Sequence, residues 1–168
     1  MNGRRKGNAA EREVARLCAG WWAQVEPGCK FVRTPLSGGW GGPELRGKFF
    51  AAGDLMTTSK RWPFTVEVKR RERWKLQNLI AGKPCPVWGW WLQVQDAAAE
   101  EGRQPMLWFR KSREQWRVML PVSDDLTIVE MSWSALRAVN HGVQMPMVVL
   151  ASDLLAMNPK EVLRARDA

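Results

Sequence analysis

Between Phe64 and Lys69 apolar and polar side chains alternate without a break, a pattern that suits a half-buried β-strand and not a helix. Val66 and Val68 then face one side, and Glu67 and Lys69 the other. Such a strand needs a covering layer on its apolar face, so the chain must fold as at least two layers around a sheet.

The flanking segments supply both layers. Ala10, Val14, Leu17, Cys18 and Trp21 recur at helical spacing, which predicts a helix from Asn8 to about Trp22 with Asn8 as its N-cap. Lys30 to Thr34 reads as a short strand, followed by a glycine-rich loop from Ser37 to Gly47 that contains Trp40. Phe49 to Met56 reads as a strand interrupted at Gly53. A second helix is expected from about Val87 to Glu101, ending at Gly102. Pro105 to Lys111 and Gln115 to Leu120 read as a hairpin turning at Ser112 to Glu114. Beyond it come a short strand, a helix near Ser134 to Val139 and a helical stretch after Ser152. The order α-β-β-β-α-β-β with α/β additions predicts an α/β fold with a central mixed sheet flanked by helices. At 168 residues the chain suits a single domain.

Charge narrows the partner. The net charge is +9, and all of the excess lies in residues 1–75, which hold 16 basic and 7 acidic side chains; residues 76–168 hold 10 of each. A basic half without a lipid-facing amphipathic helix points to nucleic acid rather than a membrane surface. The apolar runs are too short to span a bilayer, and Arg4, Arg5 and Lys6 lead into helix-forming sequence rather than an apolar signal segment. An intracellular, cytoplasmic location is expected. Cys18, Cys29, Cys85 and His141 do not have the spacing of a zinc site, so any metal must be a hard cation held by carboxylates.

The acidic residues that lie in the basic half are the candidates for such chemistry. Asp54 precedes Glu67 by 13 positions, and Gly53 lets the backbone bulge or turn just before it. Two strands with a short connection can bring the two carboxylates together. Glu11 leans toward the buried stripe of its helix, since Val14 and Cys18 follow at i+3 and i+7. It also stands three residues after Asn8, the spacing of a capping box, so cap and catalytic group are equally supported. Taken alone, Glu67 and Lys69 also fit a surface ion pair.

Asp54 followed by Glu67-Val68-Lys69 resembles the PD-(D/E)XK nuclease signature, with Gly53-Asp54 in place of Pro-Asp. Lys6-Gly7-Asn8-Ala9-Ala10-Glu11-Arg12-Glu13 is similar to the N-terminal motif of archaeal-type Holliday junction resolvases. Arg33-Thr34-Pro35-Leu36-Ser37-Gly38 is similar to the pattern between that family's two motifs, and Gly38-Gly39-Trp40 looks like its phage branch. The resemblance spans roughly residues 5–120, with residues 121–168 as an α/β extension. The loop between Ser37 and Asp54, which carries Trp40, Glu44 and Phe49, is longer than in the compact archaeal proteins.

The resemblance implies a restriction-endonuclease-like fold and a Mg2+-dependent endonuclease, with Mn2+ able to substitute, that resolves four-way DNA junctions. It implies Asp54, Glu67 and Glu11 as metal ligands, joined by the Val68 carbonyl. Lys69 would position the attacking water, and Ser37 would contact the scissile phosphate. Arg12 and Arg33 match basic positions of its motifs, and Arg4, Arg5, Lys6, Arg70 and Arg71 extend the DNA-binding surface. Gln93 is a candidate phosphate or water contact beyond these, against the plain alternative of an exposed helix glutamine. Two matched cuts imply a homodimer, and the phage likeness implies a bacterial host's cytoplasm. The competing expectations are a nuclease for other branched or linear duplex DNA, and a non-catalytic DNA-binding module.

Eleven tryptophans stand beside no tyrosine. Trp21, Trp22, Trp108 and Trp116 fall at core-like periodic positions, whereas Trp40, Trp62 and Trp74 fall in basic loops where a ring could stack on an opened base.

Overall fold

A computed structural model describes residues 3–35, 49–121 and 146–164. Helix α1 spans Gly3–Trp22. It buries Ala10, Val14, Cys18 and Trp21 of the expected stripe, together with Ala15 and Trp22, and leaves Leu17 half-buried. Its start corrects the expected one. Arg4, Arg5 and Lys6 are good helix formers and carry the helix past Asn8, which therefore lies inside it and caps nothing. The capping-box explanation of Glu11 falls with that.

Strands β1 (Phe31–Arg33), β2 (Phe50–Ala52) and β3 (Leu55–Thr57) form an antiparallel sheet in the order β1-β3-β2. The expected single strand from Phe49 to Met56 is thus two strands folded back on each other, with Ala52 opposite Leu55. The reversal occurs at Gly53-Asp54, where Gly53 takes φ +70, a conformation costly for residues with a Cβ.

Strand β4 (Phe64–Arg70) opens the second sheet, ordered β4-β5-β6-β7, with β5 at Gln104–Arg110, β6 at Arg117–Pro121 and β7 at Pro146–Leu150. β4 and β5 are parallel, with Glu67 opposite Leu107 and Lys69 opposite Phe109. A parallel pair needs a crossover. Here it consists of α2 (Leu76–Ile80), which the sequence pattern did not suggest, and α3 (Pro86–Glu100), which starts on Pro86 as a first-turn proline favours. β6 and β7 pair antiparallel, so the sheet is completed by a strand that the sequence pattern did not suggest there, whereas the short strand expected ahead of the 134–139 helix lies outside the described residues. Helices α4 (Ala151–Ala156) and α5 (Pro159–Arg164) follow it. They bury Leu154 and Val162, and the Trp21 indole donates to the Met157 carbonyl at 2.9 Å. The helix expected near 134–139 lies outside the described residues.

The four-stranded sheet is covered on both faces. Phe64, Val66, Val68, Met106, Trp108 and Val118 pack with α1, the small sheet and the C-terminal helices. Leu107, Phe109 and Met119 pack with Leu79, Val87, Trp91 and Val94 of the crossover helices. Trp62, expected in a basic loop, is 1 % exposed and sits edge-on to Trp22, Phe31 and Phe64 with centroids 4.7–5.3 Å away. Trp74 is also buried, against Phe109. Neither ring is open to a base, because burying an indole on apolar neighbours is worth more than leaving it in water. Trp40 lies outside the described residues; Trp21, Trp22, Trp108 and Trp116 are buried as expected.

Candidate active site

Among the described residues the backbones of the two sheets are bridged at one place. Gly53 and Val66 form an isolated parallel bridge, and the Asp54 N–H donates to the Val66 carbonyl at 2.7 Å. From the other side the Thr34 N–H donates to the Asp54 carbonyl at 2.8 Å, and the Thr34 hydroxyl to the Gly53 carbonyl at 2.7 Å. A Cβ on residue 53 would stand 2.3 Å from the Val66 carbonyl oxygen. That closeness, together with the positive φ, is why glycine precedes the aspartate here: proline is confined to negative φ.

The joint aims Asp54 at β4. Its Oδ2 accepts the Val68 N–H at 2.8 Å. A strand residue points its N–H and C=O to the same side. The Val68 carbonyl therefore lies on the same edge of β4 as Asp54, away from β5. Glu67 and Lys69 project from the face toward α3 and pair with each other. The Gln93 side chain on α3 donates to Glu67 Oε1 at 3.5 Å, a long contact. Asp54, Glu67, Val68, Lys69 and Gln93 thus come together around one sheet edge.

Glu11 approaches from the opposite layer, because α1 covers the Val66/Val68 face. It is bound to Arg33, whose Nε donates to Glu11 Oε2 at 2.8 Å, with both side chains largely buried. Among the described residues no three Asp, Glu, His or Cys side chains stand close enough together to hold an ion. The structure joins Asp54 to Glu67 and keeps Glu11 with Arg33. Glu13, two residues on, ties α1 to the sheet by accepting from Arg110 at 2.6 Å and from the Trp116 indole at 3.0 Å.

The electrostatics show a surplus of negative charge. Burial pushes the Asp54 carboxyl up to about 7, and repulsion from Glu67 and then Glu11 adds to it, against the Val68 N–H and Lys69. Two hard oxygen donors that a lysine and one amide leave undercompensated, with a carbonyl on the same edge, fit a divalent cation such as Mg2+ or Mn2+.

Of the expected DNA-contacting residues, Arg5, Arg12 and Arg71 are exposed and Lys6 and Arg70 half-buried; Arg4 has no described side chain, and Ser37 lies outside the described residues. Arg70 donates to the Ser112 hydroxyl at 3.4 Å. The Glu72 carboxyl is held low first by the hydroxyl of Ser112, with Lys6 and Arg70 contributing. The start of α1, the end of β4 and the β5–β6 turn therefore share one end of the molecule. There Lys111 and Arg117 lie over the Trp74 ring at 5.1 and 5.6 Å, and Arg110 over Trp116 at 4.3 Å. These cations come from the half of the chain with no net charge, so counting by halves missed them. The signal was present in Arg110-Lys111 and Arg117, which flank a predicted turn.

Residues 2–150 match the phage putative PDDEXK endonuclease family. The chain belongs to that family. Its mixed α/β architecture agrees with a PD-(D/E)XK-like fold, and the protein is a nuclease of a superfamily that typically depends on divalent metals. No curated protein and no solved structure matches the chain. Among the described residues no helix is long and apolar enough to cross a membrane.

Proposed function

We propose that this phage PD-(D/E)XK nuclease is a Mg2+-dependent, structure-selective endonuclease that resolves four-way DNA junctions by paired phosphodiester hydrolysis. The observation that carries the chemistry is the gathering of Asp54, Glu67 and Lys69 at the edge of β4. Preference for junctions is supported by the resolvase-like segments around Glu11 and Arg33.

Asp54, Glu67 and the Val68 carbonyl would hold the cation, with Glu11 as the further carboxylate. When bound, such an ion stabilises charge on the phosphate and makes a bound water more acidic. Lys69 positions the attacking water and offsets the charge of Glu67, and Gln93 steadies that carboxylate. Ser37 contacts the scissile phosphate. Arg4, Arg5, Lys6, Arg12, Arg33, Arg70 and Arg71 hold the phosphate backbone, so binding weakens steeply with added salt. Two coordinated cuts call for two sites, hence a homodimer with approximate two-fold symmetry.

The test uses a labelled synthetic four-way junction and a matched linear duplex, each with Mg2+ or with chelator. Paired symmetric cuts in the junction alone, lost on chelation, are expected. Equal cutting of both DNAs would keep the nuclease and reject junction selectivity; binding with no cutting under any metal would reject catalysis.

A further inference from the structure

The carboxylate that the resolvase resemblance assigns to the metal site is bonded to an arginine instead. Arg33 spends only its Nε on Glu11; neither Nη group has a hydrogen-bond partner among the described residues. Arg33 lines an open groove of about 580 Å³ between α1 and β1, together with Arg12, Arg16, Phe31 and Val32. Arg12, Arg16 and Arg33 follow the two structures that meet there: Arg12 and Arg16 are one helical turn apart on α1, and Arg33 ends β1. Arg12 and Arg16 are exposed and form no ion pair among the described residues. The groove thus presents three guanidinium groups and only one neutralising carboxylate, Glu11. Guanidinium pairs favour phosphate oxygens, which they grip with two donors at once.

We propose that Arg33 is an exchange residue that couples DNA docking to assembly of the cation site. In the DNA-free protein it holds Glu11 away from Asp54 and Glu67. A backbone phosphate entering the groove beside Arg12 and Arg16 takes over the Arg33 guanidinium and releases Glu11 toward the two carboxylates. The full cation site then forms only on bound DNA, which restrains cutting before the substrate is seated. Glu11 repels the Asp54 carboxylate, and its side chain would move toward that carboxylate by a change of rotamer. This inference rests on the nuclease function proposed above, and Arg33 acts in it as a positioning residue.

The test is a double-mutant cycle read as Mn2+ affinity by electron paramagnetic resonance, with no cleavage involved. In the DNA-free protein Glu11→Gln should change Mn2+ affinity by less than about twofold. Arg33→Met should tighten Mn2+ binding about fivefold or more. That gain should vanish in the Glu11→Gln, Arg33→Met double variant. In a Lys69→Met background with a bound four-way junction, Glu11→Gln should weaken Mn2+ binding although Arg33 is intact. A gain that survives Glu11→Gln would reflect mere removal of a positive charge and overturn the proposal. So would a large effect of Glu11→Gln in the DNA-free protein that retains Arg33. Should Arg33→Met not fold, Arg33→Lys, with its single-pronged grip, should give a smaller gain in the same direction, and no gain there overturns the proposal equally. Wild-type protein that binds Mn2+ and cuts DNA while the cycle stays flat removes only the exchange; wild-type protein that neither binds Mn2+ nor cuts removes the nuclease function as well.

Discussion

The two sides of β4 are made from the same seven residues, yet they do opposite work. Toward β5, β4 completes a parallel ladder from Phe64 to Arg70, and its Val66/Val68 face disappears under α1. Toward the small sheet, among the described residues, it is bridged only at Gly53–Val66, and there Asp54 reaches in to take the Val68 N–H. The interior is apolar and fully paired; the edge gathers carboxylates whose repulsion costs stability. A stable ladder on one side lets the other side hold charges that would not gather on their own. Functional sites commonly carry such a local cost, which the rest of the fold offsets.

The largest expected effect separates the two regions outright. Asp54→Asn should lower the cleavage rate by about 10³-fold or more while the protein stays folded, since the edge loses the proposed metal ligand but keeps an acceptor for the Val68 N–H. Single-turnover cleavage beside a thermal melt checks this. An active Asn variant would remove Asp54 from the chemistry.

Trp62→Ala should do the reverse. Deleting an indole that is 1 % exposed should cost about 3–5 kcal/mol of stability, leaving activity per folded molecule nearly unchanged. Denaturant unfolding and active-site-normalised rates decide it. Gly53→Ala lies between the two: its Cβ meets the Val66 carbonyl at 2.3 Å in a positive-φ turn, so it should cost about 2–4 kcal/mol and also reduce activity by displacing Asp54.

The joint should also make stability depend on pH in chelator. Asp54 has its folded pKa at about 7 against an ordinary 3.8, so the folded state binds the proton more tightly. Its contribution is fully present below about pH 4 and is lost as pH rises through 7, a change on the order of 2–4 kcal/mol. The Asn variant should lack this slope and become the more stable protein at pH 8. If the two melting profiles run parallel from pH 5 to 8.5, Asp54 is not the buried, repelled carboxyl described. A cation should suppress the difference, since binding displaces the same proton.

Smallest of all, Gln93→Ala should slow cleavage about three- to fivefold, as expected from one long hydrogen bond to Glu67. No change would make Gln93 the plain surface glutamine that its helix position also allowed.

Local chemistry made much of this legible in advance. Strict alternation placed Glu67 and Lys69 on one face of a strand, helical spacing marked the buried face of α1, and Gly53 announced a break beside Asp54. Each is a property of neighbours a few residues apart, where covalent geometry sets which side chains share a face. Proximity across the fold was decided elsewhere. Asn8 and Glu11 have capping-box spacing, but Arg4, Arg5 and Lys6 extend the helix and leave Glu11 for Arg33, 22 residues away. Trp62 and Trp74 stand among basic residues in the chain and are buried in the fold. The cations of the β5–β6 turn join the N-terminal basic surface only because β4 and β5 end side by side.

The sequence by itself thus determined the chemical inventory: an aspartate after a glycine, a Glu-x-Lys strand, a basic half and the layered α/β order. Only the tertiary structure decided which of those groups meet: Asp54 with Val68, Gln93 with Glu67, and Glu11 with Arg33 rather than with the other carboxylates. Spacing along a chain constrains faces and turns, whereas contact between distant segments depends on how whole layers pack, and that is set by the sum of all buried surfaces at once.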